Sequence, residues 1–158
     1  MNSEERAVEV QVRLLEPHRV TRRYVVFGKV VEYVRKFGCD HIIMTGWNVG
    51  YSTLEFVRYL RRELGVSPTI AVSKIPNEPW ITHGIEECGK LIYFENLHAK
   101  AIYIIIDGEV LVIETSSNPV YGDLIEHYSI QQLPKKLFLN RVSPIRRLFK
   151  GIFEGDDI

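Results

Sequence analysis

The chain has 158 residues, 46% of them hydrophobic and 25% charged, so it can bury a core without staples and resembles neither a disordered nor a repeat protein. Twenty Lys plus Arg balance twenty Asp plus Glu, and the resulting net charge of zero argues against a protein that coats nucleic acid by bulk electrostatics. The longest apolar run, Ala101 to Ile106, is far too short to cross a bilayer, and the polar start Met1-Asn2-Ser3-Glu4-Glu5-Arg6 is no signal peptide, so one cytoplasmic domain over 1–158 without membrane insertion is expected.

Val8, Val10, Val12 and Leu14 alternate with polar residues, the period of a half-buried strand, which Pro17 is expected to end. Phe27, Val30, Val31, Val34 and Phe37 recur at helical spacing, with Gly38 as a C-terminal cap. His41 to Thr45 reads as a short buried strand running into the turn Gly46-Trp-Asn-Val-Gly50. A helix follows from Ser52 or Thr53 to Leu64, closed by Gly65. Thr69 to Ser73 is a second buried strand, Pro79 opens a helix to about Cys88, and Lys90 to Phe94 is a third strand. This alternation predicts an α/β fold with a mixed, largely parallel sheet flanked by helices on both faces.

The pattern then changes. His98 to Ile106 and Glu109 to Ser116 read as strands joined by Asp107-Gly108, a strong hairpin signal, and Glu126 to Gln131 as one more. Ser143-Pro144 caps a short helix ending near Glu154, within a basic C-terminal segment over 133–154. Between Leu133 and Lys150 stand six basic residues and no acidic one, a solvated face or a phosphate-tracking patch. Cys39 and Cys88 lack metal spacing and read as buried free thiols, with a bridge between them left open.

Residues two apart on a strand share a face, so His98 and Lys100 project together, as do Ser116 and Asn118 on the returning strand. The hairpin brings all four to one end, where Glu126 could join them. That set suits a phosphodiester. An imidazole can attack phosphorus or protonate a leaving oxygen, while an ammonium with amide and hydroxyl donors neutralises the non-bridging oxygens. A carboxylate can fix the imidazole's tautomer. No metal or cofactor is required by this chemistry. A lone strand histidine is more often structural; it is the company of Lys100, Ser116, Asn118 and Glu126 that singles out His98. His41 and His127 read as packing or surface residues, and His83 as either surface or cleft. Trp47 and Tyr51 flank a strand's carboxyl end and are either rim packing or a surface for stacking bases. Lys135, Lys136 and Arg141 are the candidate backbone contacts.

At these residues the chain resembles the phospholipase D superfamily, whose signature is His-x-Lys, an aspartate after four further residues, then Gly-Ser-x-Asn. Here it reads His98-Ala99-Lys100, Asp107, and Thr115-Ser116-Ser117-Asn118, with Glu126 matching the acidic residue that orients histidine. Thr45-Gly46 and Ser52-Thr53-Leu54 match a turn and helix start of short single-motif members, so the likeness covers roughly 40–131. Six residues rather than four separate Lys100 from Asp107, which makes Asp107 a turn residue, and Thr115 stands where the family has glycine. The resemblance implies a two-step reaction through a phosphohistidine, needing two His-x-Lys motifs. This chain has one, so the resemblance implies a homodimer sharing one site, with nucleic acid as the expected substrate. A catalytically silent phosphate- or nucleic-acid-binding module and a phospholipase or phosphatidyltransferase are the alternatives.

Overall fold

Strand β2 (His41–Gly46) is buried along almost its whole length, and its alternation divides the core in two. Ile42 and Met44 belong to one apolar cluster, and Ile43 to a second on the opposite face. In this computed structural model residues 13–46, 49–94, 97, 100–115, 125–135 and 138 are described, of which 18–24 and 125–126 by backbone alone. The elements run β1 (Arg13–Arg22), α1 (Arg23–Phe37), β2, α2 (Tyr51–Leu64), β3 (Thr69–Val72), α3 (Pro79–Cys88), β4 (Lys90–Tyr93), β5 (Ala101–Ile106), β6 (Glu109–Thr115) and β7 (Ile125–Pro134). They form one seven-stranded sheet in the order β1-β7-β6-β5-β2-β3-β4.

This overturns the expected fold class. Only β2–β3 and β3–β4 pair in parallel; β1–β7, β7–β6, β6–β5 and β5–β2 are antiparallel. The strand-helix alternation from β2 to β4 does make parallel neighbours, as a helical crossover must. The two-residue turn at 107–108 instead returns β6 antiparallel to β5, β5 lies antiparallel to β2 and β7 to β6, and β1 pairs with β7 from over a hundred positions away. Nor are helices described on both faces. The three described helices bury Val30, Leu54, Leu60 and Ile85 against Ile42, Ile70, Ile104 and Ile113 on a single face. On the other face Tyr103, Ile105 and Val112 are covered by Leu97 and by Phe138, whose ring centroid lies 5.2 Å from that of Tyr103.

Pro17 does not end its strand. β1 is a sheet edge, where a missing amide donor costs no ladder bond, and the register slips on both sides of Glu16, between Leu14 and Glu16 and between Glu16 and Arg19. The bulge turns Glu16 inward. Its carboxylate, only 8% exposed, accepts from Tyr33 Oη at 2.9 Å, Tyr128 Oη at 3.1 Å and Lys29 Nζ at 3.2 Å. Burial by itself would raise this carboxyl's pKa, but the hydrogen bonds from Tyr33, Lys29 and Tyr128 outweigh it and hold the value below the ordinary one. Strand β1, helix α1 and strand β7 are thereby tied at one charged point.

Gly89 is dictated by space and Gly108 by backbone conformation. A Cβ on Gly89 would stand 2.2 Å from the Pro68 carbonyl oxygen, where α3 passes into β4 beside β3. Gly108, at φ +73°, makes the β5–β6 turn.

Candidate functional site at the carboxyl edge of the sheet

The parallel strands β2, β3 and β4 end in register, Gly46 beside Val72 and Val72 beside Tyr93. The antiparallel half of the sheet meets the same edge with other termini. β5 starts there, since Ala101 pairs with Thr45; β6 ends there, since Glu114 pairs with Ala101; and β7 starts there, at Ile125, three residues before Tyr128, the partner of Thr115. Helices α2 and α3 also begin at this edge, each following a parallel strand. In α/β sheets the carboxyl edge is the usual ligand side, because strand ends diverge into loops and helix N-termini face it.

Lys100 directly precedes β5 and is half-buried. Its carbonyl accepts from the Thr115 amide at 3.0 Å and from Thr115 Oγ1 at 3.2 Å, which closes the open end of the hairpin and sets Lys100 beside the start of the Thr115-Ser116-Ser117-Asn118 segment. A second threonine braces the neighbouring pair: Thr45 Oγ1, 1% exposed, accepts from the Ala101 amide at 3.2 Å and donates to the Ala101 carbonyl at 3.4 Å. Behind it the Tyr103 phenol is pushed up to about 12 by burial. The backbone carrying Lys100 is thus held from β2 and from β6.

Of the residues singled out in the sequence, the described part places Lys100 and the Glu126 backbone at this one edge. His98, Ser116, Asn118, Trp47, Lys136 and Arg141 lie outside the described residues. Lys135 does not join Lys100. Its amide donates to the Gly108 carbonyl at 3.0 Å, at the far end of the same hairpin, roughly 20 Å away at about 3.3 Å per strand residue. Asp107 stands in that far turn, exposed, and cannot reach an anion beside Lys100 of its own chain. Tyr51 opens α2 at the carboxyl edge, and its ring lies 5.7 Å from that of Trp80 at 54°. Trp80 was missed in the sequence; the available signal was its place in the first turn of the helix after a buried strand.

The remaining titratable candidates lie elsewhere. His41, at the opposite end of β2, has its Nε2 2.8 Å from Thr69 Oγ1, and burial lowers its pKa. His83 and His127 are exposed. Cys39 and Cys88 are free thiols, and burial pushes Cys39 up to about 11, which leaves little thiolate near neutrality. Among the described residues no group of His, Cys, Asp and Glu is placed to hold a metal ion, and no helix is long and apolar enough to cross a membrane.

No family model matches the chain, and no curated protein does. Among solved structures, a polyphosphate kinase from Porphyromonas gingivalis superposes over 100% of this chain with a TM-score of 0.55 at 13% identity. The chain spans 28% of that protein's length, and at this identity the likeness concerns the fold alone. A second match, TrmBL2, an archaeal chromatin protein described with a novel mode of DNA binding, covers 89% of this chain and 53% of its own at 17% identity. Its TM-score of 0.41 is too low to bear on function.

Proposed function

We propose that this chain is one half of a phospholipase D-like phosphodiesterase that cleaves nucleic acid without a metal, at a site completed by a second copy. The observation that carries the reading is the convergence at one sheet edge of the start of β5 with Lys100, the end of β6 leading into Ser116 and Asn118, and the start of β7 with Glu126. A fold shared with a polyphosphate kinase, by name a protein of phosphoryl chemistry, is compatible with it.

In this reading His98 of one subunit attacks phosphorus through an imidazole nitrogen, and the bond from phosphorus to the leaving oxygen breaks as His98 of the other subunit protonates that oxygen. The second imidazole then takes a proton from water, which displaces the phosphohistidine and restores both rings. Lys100, Ser116 and Asn118 carry the charge of the non-bridging oxygens, and Glu126 orients an imidazole. A single chain has one His-x-Lys pair, so a two-fold dimer supplies the other.

A silent binding module with the same fold is the second reading. Thr115 favours it, because a hydroxyl bonded to the Lys100 carbonyl stands where the superfamily has glycine. The test that separates them is turnover of single- and double-stranded oligonucleotides in chelator, alongside sedimentation. Chelator-resistant cleavage that is lost in His98→Ala, from a dimer at micromolar concentration, is the expected result. Binding without cleavage selects the silent module, strict dependence on added Mg²⁺ removes the proposed mechanism, and a monomer that cleaves removes the shared site. Liposome hydrolysis without nucleic-acid cleavage selects a lipid enzyme.

A further inference from the structure

Among the described residues six large apolar side chains are exposed, and four of them, Tyr51, Ile75, Trp80 and Tyr93, sit on the carboxyl edge of the sheet or in the loop and helix starts that follow it. Tyr51 and Trp80 are 53% and 52% exposed and lie against each other rather than in the core. The helix packing holds the pair in place. Helix α3 packs so closely on α2 that a Cβ on Gly84 would meet Leu54 Cδ1 at 2.6 Å. Such close packing fixes the spacing of the two helix starts and so of the two rings. From β5, where Lys100 enters, to β4, where Tyr93 ends the edge, the distance is three strand spacings, about 15 Å.

We infer that Tyr51 and Trp80 form a stacking platform for unpaired bases, so that the substrate is single-stranded nucleic acid or a single-stranded flap rather than duplex. This rests on the phosphodiesterase reading of the same edge. A base in duplex has both faces covered by its neighbours and cannot lie on an exposed ring; an unpaired base can, and every base has a face to offer. A strand whose phosphate lies by Lys100 has its next bases within reach of the rings across the edge. A lipid surface is less well matched, since the exposed pair is two aromatic rings tilted at 54°, not a flat aliphatic patch.

The experiment is anisotropy titration of the full chain with three fluorescein-labelled probes: a short single strand, the same length carrying abasic sites, and the blunt duplex. The single strand should bind tightest, and Tyr51→Ala and Trp80→Ala should each weaken it on the order of tenfold while hardly changing the abasic probe. Trp80→Phe should restore most of the loss. Lys100→Ala should weaken base-bearing and abasic strands alike, and circular dichroism checks that all variants fold. Equal affinity for abasic and base-bearing strands, or unchanged single-strand binding in the Tyr51→Ala/Trp80→Ala double variant, overturns the platform. So does loss of binding to phosphatidylglycerol vesicles in that variant with oligonucleotide binding intact. The titrations need no turnover, so a chain that binds bases through these rings but does not cleave would sink the phosphodiesterase and leave the platform standing.

Discussion

Replacing Glu16 by alanine should cost this protein a large part of its stability, although the residue lies on an edge strand. The carboxylate accepts from two phenols and one ammonium, and its removal treats the three donors unequally. Lys29, 24% exposed and 3.4 Å from Glu32, can turn to solvent and its other partner. Tyr33 is half-buried and can recruit water. Tyr128, 3% exposed, loses the Glu16 carboxylate as an acceptor inside the core. Taking a carboxylate acceptor from a buried hydroxyl costs about 1–3 kcal/mol, and the other lost charge-assisted bonds bring the total to roughly 2–4 kcal/mol. For a chain of this size that lowers Tm by about 6–12 °C. Urea unfolding followed by fluorescence, with calorimetry beside it, measures both. The pH dependence gives a second reading. Because the folded pKa lies below the ordinary value of 4.5, the carboxylate's contribution is complete above that value and is lost as pH falls through the lower folded one. The gap between wild type and Glu16→Ala should therefore be constant from pH 7 to about 5 and shrink below it. A double-mutant cycle with Tyr128→Phe should show coupling of at least about 1 kcal/mol. A loss below about 0.5 kcal/mol, or a gap that persists unchanged at pH 3, refutes the account of this cluster.

Gly89→Ala should destabilise by at least about 2 kcal/mol, because a Cβ 2.2 Å from the Pro68 carbonyl forces β3 and β4 apart; denaturant midpoints check it, with Gly28→Ala, where nothing lies within 4 Å, as the comparison. His41, whose pKa burial holds below 6.5, should make stability fall as pH drops from 6.5 through its folded value, and His41→Gln should flatten that part of the profile. Cys39, with its thiol up near 11, should react with iodoacetamide at pH 7.5 far more slowly in the folded protein than after urea, followed by mass spectrometry.

Local chemistry was readable from the residues themselves. Helix α3 begins at Pro79 and ends at Cys88, Gly65 caps α2 at φ +67°, and Asp107-Gly108 makes the hairpin turn, because caps, proline and left-handed glycine act over a few bonds. The parallel trio β2, β3 and β4 was legible too, since each helical crossover returns its strand in the same direction. Pairing across long separations was not. Nothing near Arg13 to Arg22 specifies that this strand lies along β7, and Pro17 argued locally against a strand there until the edge position removed its cost. For the same reason the antiparallel majority of the sheet, and the crowding of three described helices onto one face, had to come from tertiary structure.

The site divides along the same line. Residue types and their spacing along the chain named Lys100, Glu126 and Tyr51, because chemistry is carried by side chains and the two-residue strand period is local. Which of them share an edge depends on strand order. That order sets Lys100 and the start of β7 beside the carboxyl ends of β2 to β4, carries Lys135 to the opposite end, and brings Trp80 against Tyr51 from 29 positions away. Sequence alone supplied the reactive groups and their local geometry; the distance between groups on different strands is a property of the packed sheet, because it depends on contacts that no short stretch of chain contains.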